Sequence, residues 1–177
     1  MSDFVDRAIR AAKLDVTLYE EVEADENAIS QALIVVVLAS VASGIGMIGK
    51  AGAIGIFTGT LMHLIGWFVW AFVIFFVGTK LMPEPETKSN MGELLRTIGF
   101  ASSPLILNVI AFIPYLGGLI RFGTGIWALV AMVIAVRHAL DYKTTGKAVL
   151  VCIIGLIPYL IVLFILAAIL GLGRSII

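Results

Sequence analysis

Five carboxylates lie within seven residues, directly before the first long apolar stretch of the chain. They are Glu20, Glu21, Glu23, Asp25 and Glu26. Clustered carboxylate oxygens bind divalent cations, but the run EEVEADE lacks the glycine turn and the alternating ligands of a calcium loop. We therefore predict no metal ion here. Two interpretations remain open: a solvated charged face, or ion pairs with arginines, which bind carboxylates through two parallel hydrogen bonds.

The cations that could form these pairs stand at the edges of later apolar stretches. Arg96 and Arg137 occupy such positions, where an unpaired guanidinium group in a low-dielectric setting is costly. We predict a charge cap, in which acids and cations pair on one side of the apolar segments: Glu23, Asp25, Arg96, Arg137, Asp141 and Lys147. Glu23 is the first candidate partner of Arg96, and Asp25 is the second.

Few other side chains could carry chemistry. His63 is the only histidine inside an apolar stretch, and no carboxylate accompanies it there, so a hydrogen bond between helices is a better explanation than a proton relay. A protease dyad of His63 with Ser102 or Ser103 is disfavoured because no Gly-x-Ser-x-Gly stretch presents either serine. We expect a non-enzymatic protein without a cofactor.

The composition is that of an integral membrane protein. Of 177 residues, 60% are hydrophobic and 14% are charged, whereas soluble domains are about half apolar and about a quarter charged. Several apolar runs exceed the roughly 18 residues typical of a transmembrane helix. We predict an all-α bundle of five spans, near residues 29–49, 53–78, 94–116, 119–136 and 148–172. The bilayer is therefore the expected partner. Because the net charge is zero, the chain has no overall positive field to attract nucleic acid, and we expect no binding to it.

Residues 1–28 form a polar segment ahead of the membrane domain, residues 29–177. Phe4, Ala8 and Ala12 recur at helical spacing, which predicts a short amphipathic helix lying on the membrane surface. The spacing of Thr17 and Glu20 is that of a capping box and predicts a second helix through the acidic run.

Basic residues indicate the orientation in the membrane. The N-terminal segment and the second and fourth connections, with their flanks, hold nine lysines and arginines, and the opposite side holds three. All twelve acids fall on the richer side. Because cytoplasmic loops carry the excess of lysine and arginine, we predict a cell-membrane protein with a cytoplasmic N-terminus and an extracytoplasmic C-terminus.

Prolines and small residues suggest how the spans pack. Pro104, Pro114 and Pro158 are predicted to kink helices. Around Pro104 the third span is either one kinked helix, which we favour, or an interfacial helix followed by a shorter span. Small residues allow close helix contact in lipid, and the predicted packing positions are Gly44, Ala51, Gly55 and Gly59. They form either a contact inside the bundle, which we favour, or a homodimer face.

Three stretches together resemble a known family. YEEVEADENAISQAL precedes the first span, ELLRTIGFASSPLIL opens the third, and WALVAMVIAVRHALDYKTTGKAV joins the fourth to the fifth. In this order, with five spans, they resemble the Yip domain (Ypt-interacting protein) family in its short prokaryotic form, over roughly residues 15–172.

The resemblance implies a five-span, non-enzymatic protein with a cytoplasmic N-terminus. Eukaryotic members of the family act in vesicle traffic, bind small Rab-type GTPases and partner Yip proteins, and are implicated in membrane shape. This chain lacks their Asp-Leu-Tyr-Gly-Pro stretch and has Gly99-Phe100 where many members have Gly-Tyr, so we do not expect GTPase binding. We expect a membrane organiser, scaffold or trafficking-like adaptor that associates with itself or with other membrane proteins. The alternative is a small transporter or channel with kinked helices.

Overall fold

The computed structural model describes residues 2–46 and 48–169, without the side chains of residues 2, 48–55, 58 and 167–169. Its helices are α1 Ser2–Ala12, α2 Val16–Ala24, α3 Ala28–Ile45, α4 Ile48–Phe76, α5 Met91–Ala101, α6 Gly117–Ala139 and α7 Thr145–Ile169. A π-helical turn, Val77–Leu81, continues α4, and a 3-10 segment, Ser103–Ile110, follows α5. The described residues contain no strand, which confirms the predicted all-α class.

Within the described residues, five helical stretches are long and apolar enough to cross a bilayer. They are Ala28–Ile45, Gly59–Leu81, Met91–Ile110, Gly117–Ala139 and Thr145–Leu166. The predicted number of spans is confirmed. The third ends earlier than predicted, and the predicted end of the fifth, near residue 172, lies outside the described residues.

The third span changes its helix type at the Ser-Ser-Pro stretch. Asn90 and Glu93 form a capping box that starts α5, and the α-helix ends at Ala101. Pro104 then lies in the first turn of the 3-10 segment, where its missing N–H costs least. A 3-10 helix rises about 2.0 Å per residue against about 1.5 Å for an α-helix, so the two pieces together reach about 32 Å. That length suffices for a hydrocarbon core of about 30 Å.

The other two prolines differ in their placement. Pro158 lies inside α7. Pro114, by contrast, lies in the turn that follows the 3-10 segment, and its carbonyl accepts a hydrogen bond from the Leu116 N–H. The prediction that Pro114 kinks a span is therefore wrong, because the third span has already ended at Ile110.

The third span lies at the centre of the bundle. In its most apolar stretch, 61% of the residues are buried, against 11% in α7. Helix α5 contacts α2, α3, α4 and α6, while α7 packs on α4 and α6. The main core around Leu94 and Ile98 of α5 includes Ile74, Val136 and Val151.

Helix α1 has an apolar face, as predicted, but only part of that face is free to contact lipid. Phe4, Ala8 and the fully buried Ala11 pack in a cluster with Ala32 of α3 and Phe100 of α5. Further round the helix, two other apolar side chains, those of Val5 and Ile9, are about half exposed. The helix therefore docks on the bundle and turns only an apolar edge outward.

Candidate functional site at the polar end of the bundle

All twelve carboxylates of the chain lie in three segments that meet at one end of the bundle. We call this region, residues 2–27, 82–93 and 137–147, the polar end. The segments contact each other: the Lys88 N–H donates to Asp141 at 3.3 Å and the Lys143 N–H to Glu84 at 3.1 Å. Glu20 of α2 lies 3.6 Å from Nδ1 of His138 on α6. The sequence prediction that the acids share one side agrees with this arrangement.

Two arginines of α1 bind the acidic run. Arg7, which is 8% exposed, donates from Nε to Glu21 and from Nη1 to Asp25, both at 2.8 Å. Arg10 donates to Asp15 and to the second oxygen of Glu21, also at 2.8 Å. The hydrogen bond from Arg10 lowers the pKa of Asp15 to about 2. A hydrogen bond from Arg10 likewise lowers the pKa of Glu21, and a hydrogen bond from Arg7 lowers the pKa of Asp25.

Asp25 therefore has Arg7 as its partner, and neither Arg96 nor Arg137. Sequence reasoning did not identify this pair. The available signal was the position of Arg7 and Arg10, one turn apart on α1, with Arg7 directly beside the apolar face. Their guanidinium groups clamp α1 against α2.

Arg96 lies beside the acidic run, but its hydrogen bonds go to backbone carbonyl groups. Its side chain is buried, and its Nε donates to the Val22 carbonyl at 2.8 Å. A second guanidinium nitrogen donates to the Glu23 carbonyl. The last carbonyls of a helix lack partners within the helix and carry partial negative charge. Arg96 thus caps the C-terminal end of α2 and joins it to α5.

The other predicted cations bind within the loops of the polar end. Arg137 donates to the Tyr142 and Lys143 carbonyls, at 3.3 and 3.2 Å, and so holds the connection between α6 and α7. Lys147 lies 3.3 Å from Glu84. The charge-cap residues therefore lie in the polar end or beside it, but Arg96, Arg137 and Lys147 form no ion pair with the acidic run within the described part of the chain.

Glu23 is the acid with the least favourable surroundings. Its carboxylate accepts no hydrogen bond within the described part of the chain. Burial, followed by the nearby charges of Asp141 and Glu93, raises the pKa of Glu23 to about 7, although Arg96 acts in the opposite direction. Near neutral pH this group can therefore gain or lose a proton.

A second polar cluster lies at the opposite end of the bundle. Asn108 of the 3-10 segment donates to the Ser43 hydroxyl at 3.0 Å and accepts from the Thr124 hydroxyl at 2.7 Å. Arg121 donates to the Gly46 and Ala111 carbonyls, at 3.2 and 3.3 Å. These bonds join α3, the 3-10 segment and α6. No sequence motif marked them.

The interhelical hydrogen bond predicted for His63 is confirmed. Its Nδ1 lies 2.8 Å from the Ser40 hydroxyl, which links α4 to α3. The Ser102 and Ser103 hydroxyls instead donate to the Ile98 and Phe100 carbonyls, at 3.4 and 2.7 Å. This geometry supports a packing role for the three side chains.

A close glycine contact between α3 and α5 lies away from the predicted packing face. A Cβ on Gly59 would meet open space, whereas a Cβ on Gly44 would lie 3.1 Å from the Ile56 side chain. The side chain of Ala51 and the packing at Gly55 lie outside the described part. At Gly99 a Cβ would lie 2.8 Å from Cβ of Ala32, so α3 and α5 approach closely there. A lone glycine in an apolar run provides no repeat by which to recognise this contact.

Comparison with known proteins identifies the family. Neither the curated proteins nor the solved structures gave a match. The family model described as the Yip1 domain matches residues 18–172, which include most of α2 and all five candidate spans, while α1 precedes the match. Because the match covers nearly the whole chain, this multi-pass membrane protein belongs to the Yip1 family.

Proposed function

We propose that the protein is a non-enzymatic membrane organiser, which binds other membrane proteins, or further copies of itself, through its polar end. The observation that carries this proposal is the clamped N-terminal segment. Arg7 joins α1 to α2, and Arg96 joins α2 to the central span through buried hydrogen bonds. A segment held in this way presents a preformed surface, and preorganisation reduces the entropy that binding costs.

The outer side of this surface carries charged groups available to a partner. The Glu20 side chain is 63% exposed, and Glu26 is also exposed. Polar and charged residues of this kind form the rim of protein interfaces and contribute chiefly to specificity. In this proposal the polar end is cytoplasmic, since it contains seven of the nine basic residues of the richer side, and the other two, Lys80 and Arg96, flank it.

Site-specific photo-crosslinking in native membranes tests the role of the polar end. A photoreactive residue at Glu26 should give discrete protein adducts, which mass spectrometry can identify. The matched control is Tyr115, which is fully exposed in the turn at the opposite end. Adducts at Tyr115 but none at Glu26 would contradict the proposal, as would saturable solute uptake into vesicles containing the purified protein.

A small transporter or channel is the second candidate. A cavity of about 220 Å³ lies among α4, α5, α6 and α7 and is bordered by His63, Trp67 and Tyr159. Most of its other lining residues are apolar, which favours a packing defect or a lipid contact over a path for polar solutes. The uptake experiment above separates this candidate from the organiser.

A further inference from the structure

A groove separates part of α1 from the side of the bundle. Its volume is about 310 Å³, and its walls come from α1, from α3 and from the 3-10 segment. Ser103 is the one lining residue with a polar side chain, and its hydroxyl already donates to the Phe100 carbonyl at 2.7 Å. The groove therefore offers an apolar surface without an unsatisfied side-chain hydroxyl.

Large side chains on both sides of the groove are open to the surroundings. The exposed fractions are 51% for Val5, 48% for Ile9, 43% for Leu38 and 45% for Leu107. Since two walls face each other across a gap, a flexible hydrocarbon chain can contact both, and its many weak van der Waals contacts add up. A flat face would offer only one such wall.

The groove runs from the polar end into the hydrocarbon layer. Nη1 of Arg7 donates to the Gln31 side chain at 3.2 Å, which places α1 beside the first turns of α3. Leu38 lies seven residues further along α3, or about 10 Å at about 1.5 Å per residue. Half of a bilayer core is about 15 Å thick, so Leu38 lies at a depth that the acyl chains of the nearer leaflet reach.

Lys13 provides a cation at the rim of the groove. It follows Ile9 by four residues and therefore lies on the same side of α1. Arg7 and Arg10 are bonded to carboxylates, whereas Lys13 is exposed and forms no ion pair within the described part of the chain. Its charge is available to an anionic group at the membrane surface.

We propose that this groove holds one acyl chain of an anionic phospholipid, with the lipid phosphate at Lys13. A phospholipid fits the groove because the apolar walls can contact its acyl chain, while Lys13 at the rim can bind its phosphate. The attraction between one lysine and an anionic headgroup should favour anionic over zwitterionic lipid about fivefold. This inference is independent of the organiser role, since it concerns α1 and a lipid, and not a protein partner.

Native mass spectrometry of the full chain can test the groove. The detergent-purified protein is titrated with phosphatidylglycerol or with phosphatidylcholine of the same acyl chains. We expect one tightly retained lipid, with phosphatidylglycerol favoured about fivefold. Leu107→Trp fills the groove and should reduce retention of both lipids at least fivefold. The matched control is Leu150→Trp, at a position that is likewise 45% exposed but lies on α7.

The headgroup contact is tested separately. Lys13→Gln should remove the preference for phosphatidylglycerol while phosphatidylcholine is retained as before. Ile9→Trp fills the groove from the α1 side and should match Leu107→Trp, so the test does not depend on the folding of one variant. Equal lipid retention by the Leu107 and Leu150 variants would overturn the proposal. So would an unchanged preference in Lys13→Gln, or a dimer that displaces the lipid.

Discussion

Glu23 shows how burial changes the role of a single acid. Its surroundings raise its pKa to about 7 from an ordinary value of 4.5, so the folded protein binds this proton more tightly than the unfolded chain does. Stability then decreases as the pH rises from about 4.5 to 7 and is lowest above pH 7. The charged group at neutral pH opposes folding, in contrast to a carboxylate in a buried ion pair.

We therefore predict that Glu23→Gln stabilises the protein at pH 8. The expected gain is ~1–2 kcal/mol, which allows for solvent screening of the partly buried group, and it should shrink as the pH is lowered to 5. Thermal unfolding in one fixed detergent, at several pH values, measures this gain. Glu26→Gln is the control, since it removes an equal charge from an exposed position. A lower melting temperature for Glu23→Gln at pH 8 would instead indicate a stabilising ion pair.

Arg96 should be more important for stability than an average charged residue of the polar end. Arg96→Gln leaves the Val22 and Glu23 carbonyls without their guanidinium partner, and hydrogen bonds to charged groups contribute about 1.5–3 kcal/mol each. We predict a lower melting temperature and faster amide exchange in α2. Lys88→Gln, which removes the same charge at an exposed site, should change neither quantity. Equal effects of the two variants would show that the cap on α2 is unimportant.

At the scale of the elements, close packing of α5 against α3 holds the centre of the bundle. A methyl group at Gly99 would lie 2.8 Å from Cβ of Ala32 and 3.2 Å from its carbonyl oxygen. Because backbone and Cβ atoms cannot rotate away, α3 and α5 must separate. We predict that Gly99→Ala costs about 1–3 kcal/mol, as overpacking does in other cores.

The matched control for Gly99→Ala is Gly125→Ala in α6. A Cβ at Gly125 meets nothing within 4 Å, and alanine favours a helix over glycine by up to about 1 kcal/mol. Thermal unfolding should therefore show no loss, or a small gain, for Gly125→Ala. A similar loss in both variants would mean that glycine at Gly99 acts through the backbone and not through close contact.

At the scale of the whole molecule, the orientation follows from the uneven distribution of basic residues. Nine lie in the polar end or directly beside it and three elsewhere, so we predict a cytoplasmic N-terminus. With five spans, the C-terminus must then face outward. A reporter fused after Ile177 should be active as an extracytoplasmic protein, and one fused before Met1 as a cytoplasmic protein. Cytoplasmic activity of both fusions would contradict the number of spans.

The sequence by itself determined the class of the protein and the sidedness of its charges. Apolar runs long enough to cross a bilayer must be helical, because a helix satisfies its backbone hydrogen bonds within one segment. Five such runs therefore predicted the five-span bundle. Because consecutive spans cross the bilayer in opposite directions, the three segments that contain all the acids fall on the same side. These properties depend on length and composition, which are local quantities.

Only the tertiary structure decided which groups bind each other at the polar end. Asp25 could in principle pair with any nearby cation, and the docking of α1 brings Arg7 to it. Arg96 binds backbone carbonyls, which every residue possesses and no sequence pattern distinguishes. The burial that raises the pKa of Glu23 and the close approach at Gly99 likewise depend on how helices distant in sequence pack together. Pairing and packing are properties of three-dimensional contacts, whereas the formation of each span depends on its own residues.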